Sequence, residues 1–267
     1  MDGETTGADG ANQLSVPPKW RRGKRRNDDE WLRNAFRLID LLARSFGQAD
    51  LSTTSLLDVG CGTKFTAAII NHDLPIGRYV GVDTDADIVA FLGTSVHDPR
   101  FSFHHLDAHN DLYNPTGQPL ESYDRLPIPD EQFGLISLFS VFTHLAPHDY
   151  RAMLKVLRPH IADDGRLLFS LFVDEGIDPS QQDAFNREVQ RRAEAGDPAV
   201  LEAIAERQAR GTDIPDFVDR LPDRPMMEAV YSERFARELI DGSGWRIEAL
   251  HPPELPIIQH YFICRPD

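Results

Sequence analysis

The sequence predicts an α/β fold: a seven-stranded sheet, parallel except for an antiparallel last strand, with helices on both faces and a helical insertion. Three observations predict it. Apolar runs of strand length alternate with segments whose apolar residues recur at helical spacing, the pattern of a parallel sheet covered on both sides. The first of those runs ends in a turn built on two glycines, LLDVGCG, which places backbone N–H groups at the carboxyl edge of the sheet and at the start of a helix. Between the last two strands lies only HPPELPIIQ. A crossover between parallel strands needs a dozen or more residues, so the final strand must turn back beside its neighbour.

Residues 1–27 are polar, Gly-rich and without an apolar segment, and read as a disordered arm. The domain proper spans 28–267. DDEWLRNAFRLIDLLARSF opens it with acids that suit a helix N-terminus, and Leu32, Phe36, Ile39, Ala43 and Phe46 make one apolar stripe. The strands are SLLDV (55–59), RYVGVD (78–83), FSFHHL (101–106), FGLISLF (133–139), GRLLFSLFV (165–173), GWRIEAL (244–250) and HYFICR (260–265). After the fourth strand Tyr150, Met153, Leu154 and Leu157 share one helix face. The last helix, YSERFARELIDGSG, has Ser232 as its N-cap and Gly242 as its terminator. The insertion covers about 175–230. It carries two predicted helices, one from Ser180 to Gly196, the other opening at Asp197–Pro198 and stopping at Gly211. Such an insertion at the carboxyl edge is either a lid and acceptor-site wall or a surface decoration.

With 28 basic and 43 acidic residues the net charge is −15. Most of this surface repels a phosphate backbone, so nucleic acid is not the expected partner. The basic run at Lys19–Arg26 reads as a solvated arm. Two cysteines make no disulfide framework, which points to a reduced cytoplasmic setting. Neither a signal peptide nor a membrane span is expected.

What the glycine turn holds is the functional question. A dinucleotide fingerprint wants a third glycine three residues after the second, so that helix and strand pack closely. Phe65 stands there. The alternative guest is another nucleoside cofactor. Asp83 closes the second strand 25 residues after Asp58, the right place for a carboxylate that accepts ribose hydroxyls. Asp107, after the third strand, is placed to meet an exocyclic amine, with Leu106 and Ala108 beside the ring; Asn110 and Asp111 are substitutes for it. Cys61 reads as a small packing residue.

LLDVGCG, YVGVDTD, HHLDA and FGLISLFSVFTHL, in that order at the ends of four consecutive strands, resemble the successive motifs of class I S-adenosylmethionine-dependent methyltransferases. The resemblance implies a Rossmann-like sheet and S-adenosylmethionine as cofactor, with S-adenosylhomocysteine as product. It implies that Asp58 orients the turn and reaches toward the methionine amino group. Gly60, Cys61 and Gly62 would then pack on the methionine and ribose, Asp83 would hold the ribose hydroxyls with Thr84 beside the adenine, Asp107 and Ala108 would meet the adenine edge, and Ser140 would lie near the methionine end. Lys64 departs from the family, many members having a third glycine there. The whole chain is also similar to actinobacterial methyltransferases that tailor saccharides and secondary metabolites.

Methyl transfer is an in-line displacement, and alignment of donor and acceptor alone can supply effective molarities of roughly 10⁵ to 10⁸ M. A hydroxyl acceptor also gains from a base, typically about 10² to 10⁴-fold. His144 is the candidate catalytic base; the competing reading is a packing residue. Asp174 and Glu175, ending the fifth strand, are candidates to bind acceptor hydroxyls, to orient His144, or to hold a divalent cation such as Mg; no spacing requires a metal. Tyr231 joins them as a candidate acceptor-binding residue. The expected acceptor is a hydroxyl of a small molecule, most simply a sugar. A small amine, or a regulatory protein that binds the cofactor without turnover, is the alternative.

Overall fold

The computed structural model describes residues 13–21, 28–173, 194–196, 201, 216–220, 223–253 and 259–267. Helix α1 (Asp28–Ser45) precedes strand β1 (Leu51–Val59), followed by α2 (Lys64–Asn71), β2 (Ile76–Asp83), α3 (Ala86–Ser95), β3 (Phe101–His105) and β4 (Phe133–Leu138). Then come α4 (Pro147–Leu157), β5 (Ile161–Val173), β6 (Phe217–Asp219), β7 (Ala229–Tyr231), α5 (Glu233–Ile240), β8 (Trp245–His251) and β9 (His260–Pro266).

The central order is β3-β2-β1-β4-β5 with all neighbours parallel, and β9 joins β5 antiparallel and carries β8 on its far side. All seven expected strands are present, and β9 alone runs against the rest of them. Alternate residues of each strand face opposite ways, so Leu57, Val82, Ile136 and Phe169 bury one face with α4 and α5, while Leu56, Tyr79, Leu135 and Leu168 bury the other with α1, α2 and α3. This two-sided burial explains why the strands read as continuous apolar runs. Local signals fix the helix ends. Asp85 accepts from the N–H groups of Asp87 and Ile88 at the start of α3. Ser232 accepts from Phe235 N–H at the start of α5, and Gly242, at φ +69°, ends it.

Three features differ from expectation. On α1 the buried residues are Trp31, Ala35, Leu38, Leu42 and Ala43; of the expected stripe Ala43 is buried, while Leu32, Phe36 and Ile39 are half-buried against the same core. Both stripes obey helical spacing, and the tertiary contacts choose between them. Residues 13–21, within the arm expected to be disordered, are docked: Leu14 and Val16 are buried, and Leu14 exchanges hydrogen bonds with the Asn71 side chain through its N–H (2.7 Å) and its carbonyl (3.1 Å). Two apolar residues in a polar stretch escape a composition average. Residues 1–12 and 22–27 lie outside the described residues. Lastly, the insertion contains a small hairpin, β6 antiparallel to β7, with β7 extending the end of β5 in parallel at Phe172–Val230 and Val173–Tyr231. Its two predicted helices lie almost wholly outside the described residues.

Candidate functional site

β1 and β4 are neighbours, but the chain leaves β1 for a helix on one face and β4 for a helix on the other. The carboxyl ends therefore diverge and open a crevice at the point where the strand order reverses. A cavity of about 1020 Å³ occupies it. That is the upper end of the roughly 300–1,000 Å³ range of small-molecule pockets.

The glycine turn forms one wall. Gly60 and Gly62 have φ of +71° and +48°, the left-handed region that glycine enters at least cost. A Cβ on Gly60 would fall 2.4 Å from Val141 Cγ2, whereas a Cβ on Gly62 would meet nothing within 4 Å. Gly60 is thus required for packing, and Gly62 keeps the cavity open. The N–H groups of Gly60 and Cys61 both donate to the Val82 carbonyl, at 2.7 and 3.1 Å. Gly62 N–H donates to Asp83 Oδ2 (2.8 Å), and Asp85 N–H donates to Asp83 Oδ1 (3.0 Å). The turn and Asp83 fix each other. Cys61 is buried.

Asp58 lies beneath the turn. It accepts from the Tyr79 hydroxyl and from the Ser137 hydroxyl, each at 2.7 Å. Burial pushes its carboxyl up to about 6, against the opposing pull of those two hydrogen bonds, with the nearby Asp83 charge adding to the rise. Reciprocally, burial and then the Asp58 charge hold the Tyr79 hydroxyl well above the ordinary tyrosine range. Asp58 supports the turn; both of its oxygens are engaged by the scaffold.

Thr84, Leu106 and Ala108 line the far end of the cavity. Asp107 does not: it is exposed, its Oδ1 accepts from Asn114 Nδ2 at 2.9 Å, and Asn110 stands in the cavity wall instead. The alternation of side chains along the loop turns Ala108 inward and Asp107 outward.

Ser140 follows β4 in the left-handed region, at φ +57°, an uncommon backbone state for a non-glycine residue. Its N–H donates to Ser170 Oγ (2.7 Å), and its hydroxyl pairs with the Gln259 side-chain amide. The strained residue sets the path into the 3₁₀ turn Phe142–His144. His144 lines the cavity with Nδ1 3.0 Å from the Met226 carbonyl. A carbonyl only accepts, so Nδ1 carries the proton and the basic lone pair of the neutral ring is on Nε2. Tyr113 meets the imidazole edge-on at 5.9 Å between centroids.

Tyr231 is corrected. It sits in β7 with no exposed surface, and its hydroxyl donates to the Leu145 carbonyl at 2.6 Å. Its ring packs near Tyr150 and Phe217, so it is a core residue and presents nothing to an acceptor. Asp174 and Glu175 lie outside the described residues. Among the described residues no group of three or more His, Cys, Asp or Glu is arranged to hold a metal ion, and no helix is long and apolar enough to cross a membrane.

Several wall residues were invisible to motif reading: Trp20, Trp31 and Asn34 from the chain before β1, Met227 and Gln259 from the chain after β5. The signal that could have found the first group is the Trp31–Ala35–Leu38–Leu42 spacing on α1. Two polar atoms of the wall, Asn34 Oδ1 and Thr143 Oγ1, are buried without a hydrogen-bond partner among the described residues.

Residues 29–248 match the family model described as a methyltransferase domain. Similar solved structures include CalO1, a methyltransferase in calicheamicin biosynthesis, in its SAH-bound form (14% identity, TM-score 0.51, covering 88% of this chain and 54% of that one). Another is the mitomycin 7-O-methyltransferase MmcR (17% identity, TM-score 0.51, 90% and 59%). A third is the PH0226 protein of Pyrococcus horikoshii OT3 (13% identity, TM-score 0.51, 94% and 97%). At these identities the likeness is one of fold, and the chain spans about half the length of the first two.

Proposed function

Given that the chain belongs to the methyltransferase domain family, we propose that it transfers a methyl group from S-adenosylmethionine to a hydroxyl of a small, sugar-like molecule. The observation that carries the reading is the shared cavity: the glycine turn, its Asp83 clamp and the Nε2-basic His144 all face it. The residues suit the cofactor. Gly62 leaves open space where a side chain would intrude. The N–H groups of Gly62 and Asp85 hold the two Asp83 oxygens at the cavity wall, the strand-end position from which a carboxylate meets ribose hydroxyls. Thr84, Leu106 and Ala108 offer the flat, mostly apolar rim that an adenine takes.

When bound, the cofactor supplies an electrophilic methyl on a sulfonium. The chain supplies the rest. Its turn and Asp83 orient the ribose end, and the divergence of β1 and β4 leaves the acceptor room in the same cavity. His144 removes the acceptor's hydroxyl proton at Nε2, with its ring held by the Met226 carbonyl. The acceptor side mixes Tyr113, Phe172 and Met227 with Asn110, Arg224 and Glu228. Aromatic faces cover the C–H side of a sugar ring, and amide and charged groups take its hydroxyls.

The test is labelled methyl transfer to panels of sugars, phenols and amines, with mass analysis of the product. Asp83→Ala should abolish the melting shift given by S-adenosylhomocysteine. His144→Ala should keep that shift and lower turnover about 10² to 10⁴-fold. Full turnover in the His144 variant removes the base, and label found only on amines removes the hydroxyl acceptor.

A further inference from the structure

The cavity wall that motifs do not mark comes from α1. Just past the end of the helix, Phe46 lies against Gly134, at the start of β4, and beneath the Arg166 guanidinium of β5. α1 therefore lies over β4 and β5, and its N-terminal turns rise toward the carboxyl end of β4, where Phe139 and Ser140 stand. Phe139 packs on Phe65 of α2 and on Tyr261 of β9, at 5.5 and 6.1 Å between ring centroids. Trp31, Asn34 and Leu38 enter the cavity on this side. Thr84, Leu106 and Ala108 lie beyond β2, at the other end. A nucleoside seated against Asp83 and Thr84 would leave the α1 end of the cavity for its 5′ substituent.

At that end Asp58 has both oxygens engaged by Tyr79 and Ser137. Asn34 has the opposite character: its Oδ1 is buried and meets no donor among the described residues, and its neighbours in the wall, Trp31 and Leu38, are apolar. The amide lines the cavity and the described residues give its oxygen no donor, so a ligand seated there is its available partner. An amide offers an acceptor and two donors, which is what a zwitterion bearing both ammonium and carboxylate requires, whichever way the amide is turned.

We propose that Asn34 anchors the amino-acid end of the cofactor, taking the place first expected of Asp58. This assignment rests on the cofactor reading above. It implies that the first turns of α1, docked together with the Trp20 segment, complete a binding site that the strand-end motifs leave open on one side.

Calorimetric titration of the intact protein with two ligands tests it. S-adenosylhomocysteine carries the amino-acid end, and 5′-methylthioadenosine keeps the nucleoside and sulfur without it. Asn34→Ala and Asn34→Leu should each weaken S-adenosylhomocysteine about ten- to a hundred-fold, the loss of a hydrogen bond to a charged group. Both variants should bind methylthioadenosine within about two-fold of the parent, which also shows that they are folded. Equal losses for both ligands would mean a merely structural Asn34, and no loss for either would mean no contact; each overturns the proposal. A parent protein that binds neither ligand overturns the cofactor reading, and the Asn34 assignment with it.

Discussion

Asp58 shows how a single residue trades stability for shape. Its folded value of about 6 lies above the ordinary 3.8, so the native state holds the proton more tightly than the unfolded chain. Its contribution to stability therefore falls as pH rises from about 4 to about 6 and stays lost above that, by about 3 kcal/mol in all. Denaturant unfolding between pH 4 and 7 should show this decline in the parent protein and a flatter profile in Asp58→Asn. An identical slope in the two would place the titration elsewhere. The sequence placed Asp58 correctly at the strand end. That Tyr79 and Ser137 would occupy its oxygens was not legible, because those partners sit on β2 and β4 and meet it only through sheet register.

At the level of elements, the turn after β1 assigns different duties to its two glycines. Gly60→Ala adds a left-handed penalty to an overlap with Val141 and should destabilise by about 2–4 kcal/mol. Gly62→Ala carries only the first cost, about 1–2 kcal/mol, but pushes a methyl into the cavity. Thermal unfolding should rank Gly60→Ala as the less stable, and titration with S-adenosylhomocysteine should show the affinity loss in Gly62→Ala. A reversal of that ranking would refute the division. The strands of the central sheet were legible because each is buried on both faces and reads as an apolar run. β6 and β7, three residues each, are too short for any period to register. Tyr231 misled for the same reason: without β7, a tyrosine after the insertion looks like a surface residue. Asp107 misled because strand-end motifs give the position of a loop but not which of its side chains turns inward.

Across the whole molecule, the segment from Leu14 to Arg21 ties distant parts together. Leu14 binds Asn71 at the end of α2, Trp20 packs at 4.4 Å on Phe91 of α3, and the Trp20 carbonyl accepts from Thr63 Oγ1 beside the glycine turn. Asn71→Ala removes two of these ties and should cost about 1–2 kcal/mol. Hydrogen exchange should then speed up at residues 14–21 while the sheet amides keep their protection; unchanged exchange there would show that the apolar contacts suffice alone. The hairpin at the end of β5 has a different reach. The chain departs at Val173 and returns at Ala229–Tyr231, alongside the same strand. Departure and return are stitched together by the sheet itself, so whatever length or sequence runs between them is topologically a detour, and doubling it adds only about 0.6 kcal/mol of closure entropy. Residues can thus be added or removed at this junction while the strands that carry the glycine turn and Asp83 keep their register.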